Sequence, residues 1–369
     1  MKHHYLFSIA TVLAVEFAAM NPILASSRTL TRWAHINALT AAGQEDNPKT
    51  EHSDGGSKSS VKQYQEAVRL NPADAQAHND LGAALAEQGD LRTAILEFRT
   101  AIRLKTDYPE AHDNLAEALA AANDDDDEEA IGEFRKALAL RPAYADAHEG
   151  LGLMLAKKGD LAAAIPEFRT SVRLTPDSVD YCENLASALA RTGNLDQAIA
   201  EYRALAELAP NAAPIHYQLG ALILRKVQGQ SNKETTALQQ AKEELLTAVR
   251  LRPDYVEAHY GLGRTFDALG DFDGAAVQFQ RTLQLQPASY EVCDALGTVL
   301  TKQGHWAEAI TYFTKSTEIK PDDAYAHYHL GLALSEQGAT SRASAEFQKA
   351  HDIDPRFSPP NASSCAPPR

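Results

Sequence analysis

Six histidines, His78, His112, His148, His216, His259 and His327, stand at matching points along the chain, and two cysteines, Cys182 and Cys293, fill the same point twice more. Imidazole and thiolate are common ligands of zinc and haem iron, so such a column raises the question of a metal. Each matching stretch supplies a single ligand, however, and neither a CxxCH nor an HExxH pattern accompanies it, so the column reads as packing between neighbouring helices. The acidic run DDDDEE at residues 124–129 invites comparison with a calcium loop, but it lacks the central glycine and alternating ligand spacing of one and reads as a solvated turn. There is no Gly-x-Ser-x-Gly, phosphate loop or CxxC, and no acid, base and nucleophile converge. The sequence therefore predicts no catalytic residue, no cofactor and no metal site.

The elements that carry these residues are copies of one unit. A leucine in an LG or LA pair recurs at Leu81, Leu115, Leu151, Leu185, Leu219, Leu262, Leu296 and Leu330, mostly at 34-residue intervals. Such a period marks an array of repeats rather than one large core. In the stretch AHNDLGAALAEQGDLRTAILEFRTAIRL, apolar residues fall at helical spacing on Ala77, Leu81 and Leu85, then on Leu91, Ile95, Phe98 and Ile102. That pattern predicts two amphipathic helices of roughly 12 to 14 residues. Gly89, Gly159, Gly193, Gly270, Gly304 and Gly338 each fall at the turn, where a positive φ stops one helix and starts the next. Asp90, Asp160, Asn194 and Asp271 follow as N-cap candidates, and prolines from Pro142 to Pro355 close the second helices.

The LG pair, the turn glycine, the alanine at Ala94, Ala164, Ala198, Ala275, Ala309 and Ala343, the aromatic at Phe98, Phe168, Tyr202, Phe279, Phe313 and Phe347, and the closing proline all keep phase. In this the chain resembles the tetratricopeptide repeat family. The resemblance implies an all-α fold, a right-handed superhelix of helix-turn-helix repeats, here in eight copies: 75–108, 109–144, 145–178, 179–212, 213–255, 256–289, 290–323 and 324–357. Where the family often has tryptophan this chain has the histidine or cysteine column, and the usual tyrosine is replaced by Leu85, Leu119, Leu155, Leu189, Ile223, Phe266, Leu300 and Leu334. Two copies have Asn123 and Val227 in place of the turn glycine, and their extra residues fall at 124–129 and 229–236, where an exposed turn lengthens at little cost.

In this family the first helix of each pair lines a concave groove that binds a protein segment. Carried onto this chain, the groove set is Asp80, Asp113, Asn114, Glu117, Glu149, Glu183 and Asn184 in the first four copies, with Lys157 and Arg191. In the last four copies it is Tyr217, Gln218, Arg225, Tyr260, Arg264, Tyr328 and His329. An acidic half followed by an aromatic, arginine-bearing half would orient a ligand with its basic segment toward the first copies. The competing reading is that the tyrosines only brace adjacent copies. No copy has the lysine and asparagine pair of the two-carboxylate clamps that bind acidic chaperone tails, so that partner class is not expected. The repeat texture also looks like that of the protein O-linked N-acetylglucosamine transferases. Of their asparagine ladder only Asn114 and Asn184 match, and the 14 residues after Pro355 are too few for a catalytic domain.

The net charge of −15 disfavours nucleic acid and anionic membrane surfaces as general partners. At the N-terminus, Lys2, an apolar run over residues 6–15 and small residues up to Ala25 have the order of a signal peptide at 1–25. This predicts an exported protein, periplasmic or secreted, with an uncleaved membrane anchor as the alternative. Residues 26–74 read as a linker, polar and glycine-containing over 45–60, then a repeat-like second helix over 61–72. Its partner is 32–43, which makes a degenerate capping repeat, or else it is a half repeat after a disordered arm. Cys182 and Cys293 lie three copies apart, about 25 to 30 Å at ordinary helix spacings and beyond disulfide reach. Residues 358–369 form a proline-rich tail carrying Cys365. With no capping helix visible after Pro355, the last repeat is expected to expose an apolar edge suited to self-association. The leading expectation is a non-enzymatic scaffold or adaptor for a protein or peptide partner; a structural spacer is the alternative, and an enzyme-associated regulatory subunit ranks below both.

Overall fold

A computed structural model describes residues 55–122, 127–228 and 235–357. The signal-like segment, the 32–43 stretch, the centres of the two long turns and the tail with Cys365 lie outside the described residues. Those described fall into two compact units, 55–194 and 195–357. Among them every regular element is a helix. The first unit runs α1 (Gly55–Leu70), α2 (Ala75–Glu87), α3 (Leu91–Leu104), α4 (Pro109–Ala122), α5 (Asp127–Leu140), α6 (Ala145–Lys157), α7 (Leu161–Leu174) and α8 (Val179–Arg191). The second runs α9 (Leu195–Leu208), α10 (Ala213–Gln228), α11 (Thr235–Leu251), α12 (Val256–Leu269), α13 (Phe272–Leu285), α14 (Tyr290–Lys302), α15 (Trp306–Ile319), α16 (Ala324–Glu336) and α17 (Thr340–Ile353). Within each unit, consecutive helices pack on one another in sequence, the contact pattern of a helical-repeat solenoid.

The turn glycines take φ between 77° and 85°, a region costly for a residue with a Cβ. Immediately after three of them, Asp90, Asp160 and Asp271 accept from the backbone N–H of Thr93, Ala163 and Gly274 and so cap the second helix. The LG glycine has a different cause. A Cβ on Gly152 would come within 2.6 Å of the Phe168 ring, and one on Gly263 within 2.7 Å of Phe279. The buried aromatic of the second helix therefore fills the space that the first helix leaves open. Repeat 2 has Ala116 at this site, and there the Phe134 ring lies instead against Gly150 of the following repeat.

Three expectations need correction. First, α1 begins at Gly55, inside the stretch read as a linker loop. Its anchor is Val61, buried in the core with Tyr64 and Val68 packed beside it. Once that turn is nucleated, each polar residue before it adds a helical hydrogen bond at little cost. Second, the acidic run is not all turn, since Asp127, Glu128 and Glu129 form the first turn of α5. There they meet the positive end of the helix dipole and bond to Lys157, Lys158 and Arg99 of neighbouring repeats. Likewise Thr235 and Thr236 open α11 rather than ending a loop.

Third, the last repeat does not present an apolar edge. Ile95 and Ile102 of α3 pack into the apolar core, and Ile102 also packs against the cluster of Ala101, Tyr108 and Ala111, the last from the next repeat. At the equivalent positions of α17 stand Ser344 and His351. Ile353 is exposed, but so are Leu104, Leu140, Leu174, Leu208 and Ile319 at the same repeat position, so its exposure belongs to the repeat and not to the end.

Candidate functional site

The histidine column is a set of pins. Each ring is on the first helix of its repeat and makes two hydrogen bonds. Nδ1 meets a side chain on the second helix, and Nε2 meets a carbonyl in the loop before the first. For His78 the partners are Glu97 at 2.6 Å and the Pro72 carbonyl at 3.1 Å. For His148 they are Glu167 at 2.6 Å and Pro142 at 3.0 Å. His216 binds Glu244 at 2.7 Å and Pro210 at 3.0 Å, and His327 binds Glu346 at 2.6 Å and Pro321 at 3.0 Å. His112 reaches Glu133 at 2.5 Å and, more loosely, the Thr106 carbonyl at 3.4 Å. His259 meets Gln278, not a carboxylate, at 2.8 Å, and Pro253 at 3.1 Å. Cys182 keeps the loop contact, Sγ to the Pro176 carbonyl at 3.5 Å.

Packing between helices is therefore the role of this column, but the packing is polar and directional. Burial alone would raise the Glu133 and Glu346 carboxyls. At each, hydrogen bonds from the histidine and from Lys136 or Lys349 outweigh it and hold the group below its ordinary value. Both cysteines are buried and neither forms a disulfide, and burial pushes the Cys293 thiol up to about 11. Among the described residues no group of three or more His, Cys, Asp or Glu side chains is placed to hold a metal ion.

On the first-helix face of repeats 1 to 4, Asp113, Asn114, Glu117, Glu149 and Asn184 are buried, while Asp80 and Glu183 are partly exposed. The asparagines link successive repeats: Asn114 Nδ2 donates to Asn79 Oδ1 at 2.9 Å, and Asn184 Nδ2 donates to Glu149 Oε1 at 2.7 Å. Asp80 accepts from Gln76 at 2.8 Å, and burial holds its carboxyl above the usual range. The same glutamine accepts from the Tyr108 hydroxyl, just ahead of α4, at 2.5 Å. Lys157 is committed elsewhere, to Asp127 at 2.6 Å.

On the same face of repeats 5 to 8 the half-buried groups are aromatic and cationic. Tyr217 lies 5.0 Å from the Tyr255 ring, which carries the Arg252 guanidinium 3.5 Å above it. Arg264 sits 5.7 Å from the Tyr260 ring and donates to Gln228 at 2.8 Å. His329 lies 5.5 Å from Tyr328 and 4.1 Å from Tyr325. Gln218 and Arg225 are half-buried on α10. Tyr328 also packs on Phe347 and, at 5.5 Å, on Phe357 from the segment after α17.

Asn79, Arg252, Tyr255, Tyr325 and Phe357 were not picked out by sequence. A signal existed for two of them, since Tyr108, Tyr144, Tyr255 and Phe357 share one phase, opening a first helix or the place of one. Asp294, at the position that holds tyrosine in the neighbouring repeats, is buried, and burial drives its carboxyl well above the ordinary range against a weaker hydrogen bond with Ser316.

Paired helices in sequential contact, glycine turns and one buried aromatic or leucine per hairpin define a helical-repeat protein whose variable residues collect on the first helices. Tetratricopeptide repeat models match residues 55–89 and 297–338, 115–179 and 236–290, and 155–223. The chain belongs to the tetratricopeptide repeat family. Solved structures with a similar fold include YrrB, described as a tetratricopeptide protein with an unusual peptide-binding site, at 23% identity and a TM-score of 0.46 over 54% of this chain and 96% of that one. MamA gives 24% identity and 0.44 over 48% and 92%. PilF of Pseudomonas aeruginosa gives 18% and 0.47 over 58% and 93%. No curated protein matches the sequence significantly. Among the described residues no helix is long and apolar enough to cross a membrane.

Proposed function

We propose that the protein is a non-enzymatic interaction scaffold that holds a peptide or protein segment along its first-helix faces. The observation that carries this reading is the set of rings and guanidinium groups on α10, on α12 and in the segment leading into α12. Tyr217 lies 5.0 Å from the Tyr255 ring, the exposed Arg252 guanidinium sits 3.5 Å over that ring, and Arg264 lies 5.7 Å from the Tyr260 ring. Such groups supply contact area and directional hydrogen bonds at low entropy cost and dominate the energetics of protein recognition. The acidic groups of repeats 1 to 4 favour basic residues in a segment bound to that unit.

The test is a binding titration with a fluorescent peptide selected from an immobilised peptide array on the full chain. Tyr260→Ala, Arg264→Ala and Tyr328→Ala combined should weaken binding at least tenfold while helix content and melting midpoint hold. Unchanged affinity in the folded triple variant sinks the proposal.

A further inference from the structure

Repeat 6 departs from its neighbours on the second helix. Immediately before the buried aromatic or leucine, Glu97, Glu133, Glu167, Glu201, Glu244 and Glu346 stand in their repeats, whereas repeat 6 has Gln278. Three residues further on, repeats 2 and 8 carry Lys136 and Lys349, each bound to the glutamate of its own repeat, at 2.7 and 2.9 Å. Repeat 6 keeps a cation there, Arg281, without the acid. Its guanidinium donates instead to a neutral acceptor, the Gln284 amide oxygen, at 3.1 Å. The charge that a carboxylate balances in repeats 2 and 8 is left unbalanced in repeat 6.

A hollow of about 400 Å³ opens beside this guanidinium, between α11, α13 and the loop that joins repeats 5 and 6. Its volume falls within the range of small-ligand sites. Val249 and Val277 line its apolar side, and Gln278, Gln280, Gln284 and Arg281 its polar side. None of the described residues that line it is acidic, although the whole chain carries a net charge of −15. Arg281 and Gln278 are half-buried, and Gln280, Gln284 and Val277 are exposed, so the hollow is open to a ligand. Gln278 is steadied from behind by His259, whose Nδ1 lies 2.8 Å from the amide oxygen.

We propose that this hollow binds the C-terminal residue of a peptide, with the terminal carboxylate on Arg281 and an apolar side chain against Val249 and Val277. The planar guanidinium presents paired N–H groups that match the two oxygens of a carboxylate. The glutamine NH₂ groups beside it are further donors. One cation balances the single charge of a carboxylate and leaves a phosphate, with its second charge, only partly balanced. A chain end carries its carboxylate and its last side chain on one carbon, which suits a hollow that sets a guanidinium beside two valines. The site lies on second helices, apart from the tyrosines and arginines of the first-helix face, and does not depend on what that face binds.

The test titrates the full chain with the peptide acetyl-Ala-Ala-Leu, its terminal carboxyl group unblocked, and reads the NMR shifts of the Arg281 Nε–H and the Gln278 side-chain amide. Both signals should shift and saturate. The same peptide with a C-terminal amide, and inorganic phosphate, should each bind at least about tenfold more weakly. Arg281→Gln should abolish the response of the Gln278 amide. Gln278→Glu gives repeat 6 the residue its neighbours carry, so it keeps the fold even if the first variant does not. Its carboxylate should take Arg281 as Glu133 takes Lys136 and weaken the peptide about tenfold, read from the Arg281 signal. Absence of saturable shifts overturns the proposal. So does equal binding of the acid and the amide, phosphate binding as tightly as the peptide, or undiminished peptide binding by either folded variant.

Discussion

Two residues before the core leucine, the first unit carries Asn79, Asp113, Glu149 and Glu183, and the second carries Tyr217, Tyr260, Asp294 and Tyr328. One residue nearer the leucine, the first unit places Asn114 and Asn184, which donate across to the preceding repeat, while the second has Gly261 and Ala295. Around these columns the scaffold does not change. Phe168 and Phe279 fill the same glycine notch, and His148 and His327 make the same pair of bonds. The difference teaches that this hairpin separates its tasks by helix face. Positions between the helices set the packing, and the neighbouring columns can switch from amide and carboxylate to aromatic without disturbing it.

That separation can be broken in graded ways. The largest effect is expected in the shared scaffold. Phe168→Ala in the first unit and Phe279→Ala in the second each empty a buried notch and should cost about 3 to 5 kcal/mol. Denaturant unfolding of the two variants should give costs within about 1 kcal/mol of each other, and a larger gap would show that the units are not built alike.

A middle effect is expected at Asp294, the acid among the tyrosines. Its carboxyl is pushed well above the ordinary range by burial, so folding binds a proton that the unfolded chain has released above about pH 4. Stability from this group is therefore full below that pH and declines as pH rises toward the folded value. Asp294→Asn should raise the melting midpoint at pH 7 and flatten its decline from pH 4 to 7. An unchanged profile would mean that the site is not a buried acid.

The smallest effect is expected at the amide link. Asn114→Ala gives repeat 2 the residue found at Ala295 in repeat 7. It leaves the Asn79 oxygen without that donor and should cost about 1 to 2 kcal/mol by denaturant titration. A neutral result would mean that the asparagine links contribute little to stacking in the first unit.

The scaffold was legible in the sequence because its causes are local and repeated. A glycine at positive φ, an N-cap aspartate and a notch glycine opposite an aromatic each leave a mark at a fixed offset, and the turn glycines from Gly89 to Gly338 all take the expected backbone. The helix starts at Gly55, Asp127 and Thr235 were less legible, because a polar residue at a helix end looks the same as one in a turn. The histidines were readable as packing, but their partners were not, since pairing His78 with Glu97 needs the geometry across the turn. A trace did exist. Glu97, Glu133, Glu167, Glu244 and Glu346 each immediately precede the buried aromatic or leucine of their second helix. Where Cys293 replaces the histidine in repeat 7, the equivalent position holds Tyr312 instead of a glutamate. The first-helix face was the hardest to read. Its columns were visible, but Tyr255 and Phe357, which cover Tyr217 and Tyr328, come from the segments that follow the second helices of their repeats.

The His216 and Glu244 pair is 28 residues apart in sequence, against 19 for His78 and Glu97, yet its bond is 2.7 Å against 2.6 Å. Nine further residues between the two partners thus leave the clasp undisturbed. A chain segment spliced into that turn would ride on the hairpin as cargo without bending it, which makes this the natural splice point for a fluorescent reporter or an affinity handle.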